Sequence, residues 1–388
     1  MSHSRNMRVL ICPDKFAGTL AASSVAEAIA AGWRSAAAKD EAVERPLSDG
    51  GPGFLDVLAS LGTSIPVPTV DPLGRPVPGS VLLAGDTAYL ESAQACGLHL
   101  LSEGERDPLG ATSYGLGVLV AHAVEAGARR IVIGLGGSAT NDGGAGMFAA
   151  LSAAPLDETG YALPYGGAAL TAVAGLEGDP RLRGAALVAA TDVDNPLTGL
   201  HGASNVYGPQ KGASREDVLL LDSALARWAS VLEKELSTCP PGLAGLPGAG
   251  AAGGLGAAIL ALGGRCESGI AMVTNLIGLD AALDEADLVI TGEGSFDHQS
   301  LRGKVVAGVA AGARDRGLPC LVLAGQVSAG RREAAAAGVT DAYALVDRVG
   351  LEKAMAEPAE ALRDLAAHLA TQWSPGRLEG LPGRRRLD

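Results

Sequence analysis

Short apolar, β-branched runs recur along this chain, each breaking off into glycines, small hydroxyls and carboxylates before a stretch of helical periodicity. Ile131-Val132-Ile133-Gly134 is the sharpest case. It ends in Leu135-Gly136-Gly137-Ser138-Ala139-Thr140-Asn141-Asp142-Gly143-Gly144-Ala145-Gly146. This reads as a strand opening into a loop that leads to a helix N-terminus. Backbone N–H groups and the helix dipole there favour an anion, with phosphate the obvious candidate.

The same grammar appears elsewhere. Residues 8–12 form an apolar strand ending in Pro13-Asp14-Lys15-Phe16, and Val25, Ile29 and Trp33 mark a helix over 23–38. Residues 43–47 lead into Ser48-Asp49-Gly50-Gly51-Pro52-Gly53 and a helix over 53–60. Late in the chain, 287–291 is a buried strand, Gly292-Glu293-Gly294-Ser295-Phe296-Asp297 its loop, and 304–315 a helix. Strands follow at 318–324 and 342–346, with a closing helix over 351–372.

Between these ends, prolines at 66, 68, 72, 76 and 78 read as a crossing into a second domain. A hairpin is expected over 81–84 and 88–92, helices over 113–126, 147–154 and 216–236, and a strand over 185–190. That strand runs into Thr191-Asp192-Val193-Asp194-Asn195-Pro196-Leu197-Thr198-Gly199. The aperiodic stretch after it contains Tyr207-Gly208-Pro209-Gln210-Lys211-Gly212 and is long enough to be functional. Residues 247–256, glycine-rich and including Gly253 and Gly254, open another helix.

The expected fold class is therefore α/β, with two α/β domains and largely parallel sheets. One domain is Rossmann- or flavodoxin-like and discontinuous, residues 1–70 plus 286–373. The other, 71–285, is inserted into it, and 374–388 is a flexible tail.

A chain of 388 residues can bury two cores, and 47% hydrophobic with 19% charged residues is ordinary globular composition. The net charge of −13 argues against nucleic acid, which needs a clustered basic surface. Lysines are few, and Lys15, Lys211 and Lys304 sit in loop-like sequence where a functional cation would stand. The five cysteines lack ligand spacing, as expected for reduced thiols in the cytoplasm. No apolar h-region follows Met1–Arg8, so no signal peptide is expected. The uncharged stretch 236–264 is too rich in Pro and Gly to span a membrane.

Gly134-x-Gly136-x-x-Ala139 formally matches a dinucleotide fingerprint, which would make the chain an NAD-dependent dehydrogenase. The acid wanted about twenty positions on would be Asp157, which lies in a loop. A Walker A motif is absent, since Arg302-Gly303-Lys304-Val305 lacks its leading glycine and hydroxyl. Asp14, Asp49, Asp192, Asp194, Glu293 and Asp297 all end strands or open loops. They could serve Mg²⁺ and a substrate hydroxyl, or cap helices and shape turns.

Several strings together resemble the bacterial-type glycerate kinases. They are Pro13-Asp14-Lys15-Phe16, Leu47-Ser48-Asp49-Gly50-Gly51, Asp71-Pro72-Leu73-Gly74-Arg75, the whole stretch from Gly134 to Met147, and Asp192-Val193-Asp194-Asn195-Pro196-Leu197. Gly208-Pro209-Gln210-Lys211-Gly212, residues 247–256, and Thr291-Gly292-Glu293-Gly294 with Asp297, Gln299 and Gly303-Lys304 complete the set. The resemblance runs from Arg8 to about Gln372 in order. It implies ATP- and Mg²⁺-dependent phosphorylation of glycerate, in many members at the 2-hydroxyl, in a cleft between two α/β domains. The chain departs from the pattern where Pro52 and Phe54 replace an acid and a hydroxyl, where Ala17 replaces a common lysine, and where Ser295 and His298 replace Arg and Gly.

On this basis the β- and γ-phosphates are assigned to the backbone of Gly136, Gly137, Ser138, Ala139 and Thr140 and of Gly253 and Gly254, with Lys211 as a charge clamp. Asp194 and Glu293 are assigned to Mg²⁺. Asp192 is assigned as proton acceptor, with Asp297 second. Lys15 and Arg75 are expected to hold a substrate carboxylate, and Asp14, Asp49, Asn141, Asp142 and Asn195 to line the substrate site. Partners are the small-molecule substrate and ATP, without nucleic acid or membrane, in a monomer or homodimer. Alternatives are another short hydroxy acid, transfer to the 3-hydroxyl, a dehydrogenase, or a nucleotide-binding regulator without turnover.

Overall fold

The computed structural model describes residues 6–16, 18–301 and 305–374. Ala17, Gly303, Lys304 and residues 375–388 lie outside that set. The strands are β1 (Arg8–Ile11), β2 (Glu41–Glu44), β3 (Thr63–Val70), β4 (Pro76–Ala84), β5 (Thr87–Glu91), β6 (Arg130–Gly134) and β7 (Ala154–Leu156). They continue as β8 (Gly175–Glu177), β9 (Ala186–Ala190), β10 (Arg265–Glu267), β11 (Leu288–Phe296), β12 (Cys320–Val327) and β13 (Asp341–Ala344). The chain divides into one unit of Met1–Ser48 with Val273–Asp388 and another of Asp49–Met272.

The discontinuous unit holds a five-stranded, wholly parallel sheet in the order β13-β12-β11-β1-β2. Counted within the unit, that is the order 2-1-3-4-5 of flavodoxin-like folds, with its switch point between β1 and β11. Val9, Leu10 and Ile11 are buried, as are Leu288, Val289 and Ile290, because a parallel strand covered on both faces reads as an unbroken apolar run. The helices Ala22–Ala36 and Pro358–Trp373 supply Ile29, Trp33, Leu362, Leu365 and Leu369 to one core. They approach closely because a β-carbon on Gly32 would strike the Arg363 carbonyl.

β11 is longer than expected. Gly292, Glu293 and Gly294 lie within the strand, which pairs with β12 as far as Phe296 and Val327. Gly292 permits this, since a side chain there would meet the Leu323 carbonyl.

The second unit holds the order β10-β9-β6-β5-β4-β3, parallel from β10 to β5 and antiparallel thereafter. The register lines up Glu91, Gly134, Ala190 and Glu267 at the carboxyl ends of the four parallel strands. The loops that follow all leave from this one edge. Leu90, Ile133, Phe148, Leu225 and Trp228 are among its core residues.

The proline-rich stretch is not a linker. β3 and β4 form a hairpin in which Pro68 faces Pro78, and β3 is the edge strand, where a missing N–H costs no ladder bond. β3 is thus hydrogen-bonded into the second sheet, and the units part at Ser48/Asp49 rather than near residue 70. The expected helix over 147–154 is also displaced: it spans Ala145–Ala150 and gives way to β7. Among the described residues no helix is long and apolar enough to cross a membrane. All five cysteines are free.

Candidate functional site

The loop after β6 is shaped by close backbone packing. Gly137, Gly143 and Gly144 adopt positive φ (61°, 58° and 75°). A β-carbon on Gly136 would lie 2.7 Å from Gly51 Cα, and one on Gly137 2.8 Å from Pro52 Cγ. On another side the loop pairs with the 96–98 segment, Leu98 N–H donating to Gly137 O (2.8 Å) and Ala139 N–H to Cys96 O (2.7 Å). The N–H groups of Gly136, Gly137 and Ser138 take no acceptor among the described residues.

The second glycine loop lies directly against the first. In the helix Ala251–Ala261, Ala252, Gly253 and Gly254 are left-handed (φ 51°, 71° and 94°), and Gly143 N–H donates to Gly253 O (3.0 Å). A side chain on Gly253 would strike Thr140 O. Trp228, wholly buried, donates its indole N–H to Gly143 O (3.0 Å). Thr140 Oγ1 is buried beside the Cys96 thiol, and Asn141 Oδ1 is buried with no hydrogen-bond partner among the described residues. An orphaned amide oxygen only accepts, so it fits a ligand that brings a donor, such as a hydroxyl, rather than a phosphate oxygen.

The helix N-terminus expected to bind an anion is already occupied. The helix Ala145–Ala150 is a short turn and a half, and the Asp142 carboxylate closes it, accepting from Gly144 N–H (3.1 Å) and Gly146 N–H (3.1 Å). Its second oxygen also takes the N–H and hydroxyl of Ser113, each at 2.8 Å. Asp142 is wholly buried, which pushes its pKa up despite those four donors. In this structure it braces the loop, with its partners all within the same unit. Asn141 is likewise buried, its amide donating to Ser204 Oγ (2.8 Å).

Lys211, distant in sequence, reaches this loop from the 3₁₀ turn Pro209–Lys211. Its ammonium donates to Thr140 O (2.6 Å) and Ser138 Oγ (3.2 Å) and is only 2% exposed. Burial lowers its pKa to about 8, with the charge of Asp142 and the Cys96 thiol pulling the other way.

At the end of β9, Asp192 is solvent-accessible and held by both oxygens: Oδ1 accepts from Ser268 Oγ (2.5 Å) and Oδ2 from Ile270 N–H (3.0 Å). Desolvation raises its pKa, hydrogen bonds from Ser268 and Ile270 oppose this, and the charge of Asp49 raises it further. Asp49 lies in the same unit and shapes its own turn by accepting from Gly51 N–H (3.0 Å). Asn195 holds the loop, accepting from the Tyr207 hydroxyl (2.7 Å) and donating to His201 O (2.8 Å). Its amide is thus turned to the loop itself. Asp194 is exposed, near Tyr207.

Arg75 is already matched. Its guanidinium pairs with Asp71 (2.6 Å) and Glu105 (2.6 Å), so receiving a substrate carboxylate would require exchanging one of these ion pairs. In the discontinuous unit, Asp14 and Lys15 leave β1 and Glu293 lies in β11, the two strands that flank the switch point. Asp14 N–H donates to Gly292 O (2.8 Å), which sets these residues side by side. Asp297 shapes the turn beyond β11, accepting from Gln299 N–H (2.7 Å) and Ser300 N–H (3.2 Å).

Sequence reasoning missed Ser113, Trp228, Ser268 and the buried Glu91, which accepts from Gly53 N–H (3.0 Å) and Leu55 N–H (3.3 Å). Glu91 bore one signal, as a carboxylate ending an apolar strand. Among the described residues no three His, Cys, Asp or Glu side chains gather as a metal cage. Mg²⁺ is ordinarily held by one or two carboxylates, waters and substrate phosphates. Asp194 and Glu293 are oxygen donors of that type.

A profile described as "Glycerate kinase family" matches residues 9–374. A glycerate 2-kinase of Escherichia coli K12 is 43% identical over 332 residues, 83% of this chain and 86% of the other. A glycerate kinase of Bacillus subtilis 168 is 40% identical over 376 residues, 94% of this chain and 98% of the other. A crystal structure assigned as glycerate kinase 2 from Salmonella typhimurium LT2 superposes with a TM-score of 0.80 at 38% identity, covering 96% of this chain and all of that one.

Proposed function

The chain belongs to the glycerate kinase family, and on that premise we propose that it transfers the γ-phosphoryl group of ATP to the 2-hydroxyl of glycerate. The observation that carries this reading is the convergence of two glycine loops with Lys211: backbone N–H groups without acceptors and a buried ammonium within one unit. Such a cradle offers phosphate backbone donors and one positive charge, and phosphoryl transfer is catalysed chiefly by positioning and charge stabilisation. The dinucleotide fingerprint inside the loop is incidental, since it does not open a helix: the next one starts only at Ala145.

Asp192 accepts the proton as the substrate hydroxyl oxygen bonds to the γ-phosphorus and ADP departs. Its two oxygens are oriented, its carboxylate is open to solvent, and its pKa stands above the ordinary Asp value. Asp194, an exposed carboxylate, is of the kind that would hold Mg²⁺, which would offset charge on the β- and γ-phosphates. Pro52 and Phe54 are absorbed by packing, Pro52 against Gly137 and Phe54 wholly buried with its ring 6.3 Å from Tyr89. Glu91 holds the adjacent N–H groups. The free thiols suit a reducing cytoplasm.

Purified protein with ATP, Mg²⁺ and glycerate should give 2-phosphoglycerate by phosphorus NMR. A 3-phosphoglycerate signal would overturn the regiochemistry, and ATP binding without product would favour a regulator. Asp192→Asn should lower kcat by about 100-fold or more. A loss below about threefold in a folded protein removes Asp192 from this role.

A further inference from the structure

Asp192 and Ser268 meet because β9 and β10 are parallel neighbours whose last residues, Ala190 and Glu267, stand in register. Ser268 lies one residue beyond that row and Asp192 two beyond, so the sheet itself aims the hydroxyl at the carboxylate. Ser268 Oγ also accepts from Ala271 N–H (3.1 Å) at the start of the helix Gly269–Leu276. With a lone pair committed to the helix, the hydroxyl proton points to Asp192 Oδ1, 2.5 Å away. Ile270 N–H fixes the other oxygen.

We propose that Ser268 is a positioning residue for the reaction, orienting the Asp192 carboxylate. The inference rests on the reading of Asp192 as proton acceptor. Ser268 Oγ fixes Oδ1 and Ile270 N–H fixes Oδ2, so the plane of the carboxylate is set by donors from one short segment. Without the hydroxyl, Oδ1 loses that donor and the carboxylate can turn away from the substrate hydroxyl.

Capping and donation separate by substitution. Glycine caps a helix nearly as well as serine but has no hydroxyl, whereas threonine keeps both functions. Ser268→Gly should lower kcat about tenfold and leave both KM values within about twofold. Ser268→Thr should restore kcat. Unchanged kcat in Ser268→Gly would overturn the proposal, as would a loss of kcat matched by a rise in both KM values or one that threonine does not restore. If Asp192→Asn keeps activity, the reading of Asp192 fails. If Asp192→Asn is inactive and Ser268→Gly behaves as wild type, only the inference about Ser268 fails. Thermal denaturation of Ser268→Gly, expected to match the unsubstituted chain, excludes loss through unfolding; where glycine does not fold, Ser268→Ala is read in its place, a tenfold loss of kcat supporting the proposal and a retained kcat overturning it.

Discussion

Lys211 is the residue in which burial and function pull hardest against each other. Its ammonium has lost water, which lowers its pKa to about 8, yet its charge strengthens the bond to Thr140 O. Because its folded pKa lies below its unfolded value, the folded state releases this proton first. Its contribution to stability therefore rises as pH increases from about 8 towards the ordinary lysine range. Phosphate binding should run the other way. The KM for ATP is expected to climb as pH passes through about 8, with no matching loss of Tm. Lys211→Met, which keeps the stem and removes the charge, should raise the KM for ATP about tenfold or more while preserving the melting temperature. An unchanged KM would move the clamp elsewhere.

At the scale of elements, the site is a contact between two loops, and the left-handed run at 252–254 is its hinge of shape. Position 253 has no room for a side chain, whereas 252 holds an alanine in a conformation that suits glycine. Opposite outcomes follow for neighbouring substitutions. Gly253→Ala should cost about 2 kcal/mol or more and raise the KM for ATP, because the Thr140 carbonyl must move. Ala252→Gly should leave stability unchanged or raise it by up to about 1 kcal/mol. Urea denaturation of both variants checks the pair. Trp228→Phe keeps most of the aromatic packing against Phe148 but leaves Gly143 O without its donor, and should cost about 1–2 kcal/mol.

For the whole molecule, each unit has its own sheet and its own core. The second unit is continuous in sequence and buries large side chains without help from the chain ends. A fragment of residues 49–276, which keeps the helix after β10 intact, should unfold cooperatively in urea and give a near-ultraviolet circular dichroism signal. It should have no glycerate kinase activity, since the family profile spans residues 9–374 and the whole discontinuous unit is absent. A fragment without cooperative unfolding would mean that this core does not stand alone.

The sequence carries the architecture and the family in its local patterns. Unbroken apolar runs followed by helical periodicity are what parallel strands covered on both faces require, and long motif strings in order carry the resemblance. It misread stretches where composition and geometry diverge: the proline-rich hairpin, tolerated because β3 is an edge, and the glycines of β11, which look like a loop but allow close strand pairing. Only the tertiary structure decided which polar groups are committed. Asp142 meets Ser113 29 positions away, Lys211 meets Thr140 across 71, and Asp192 meets Ser268 across 76. Periodicity reports burial and local turn chemistry, whereas such partners are set by strand register and loop packing, which no local pattern encodes.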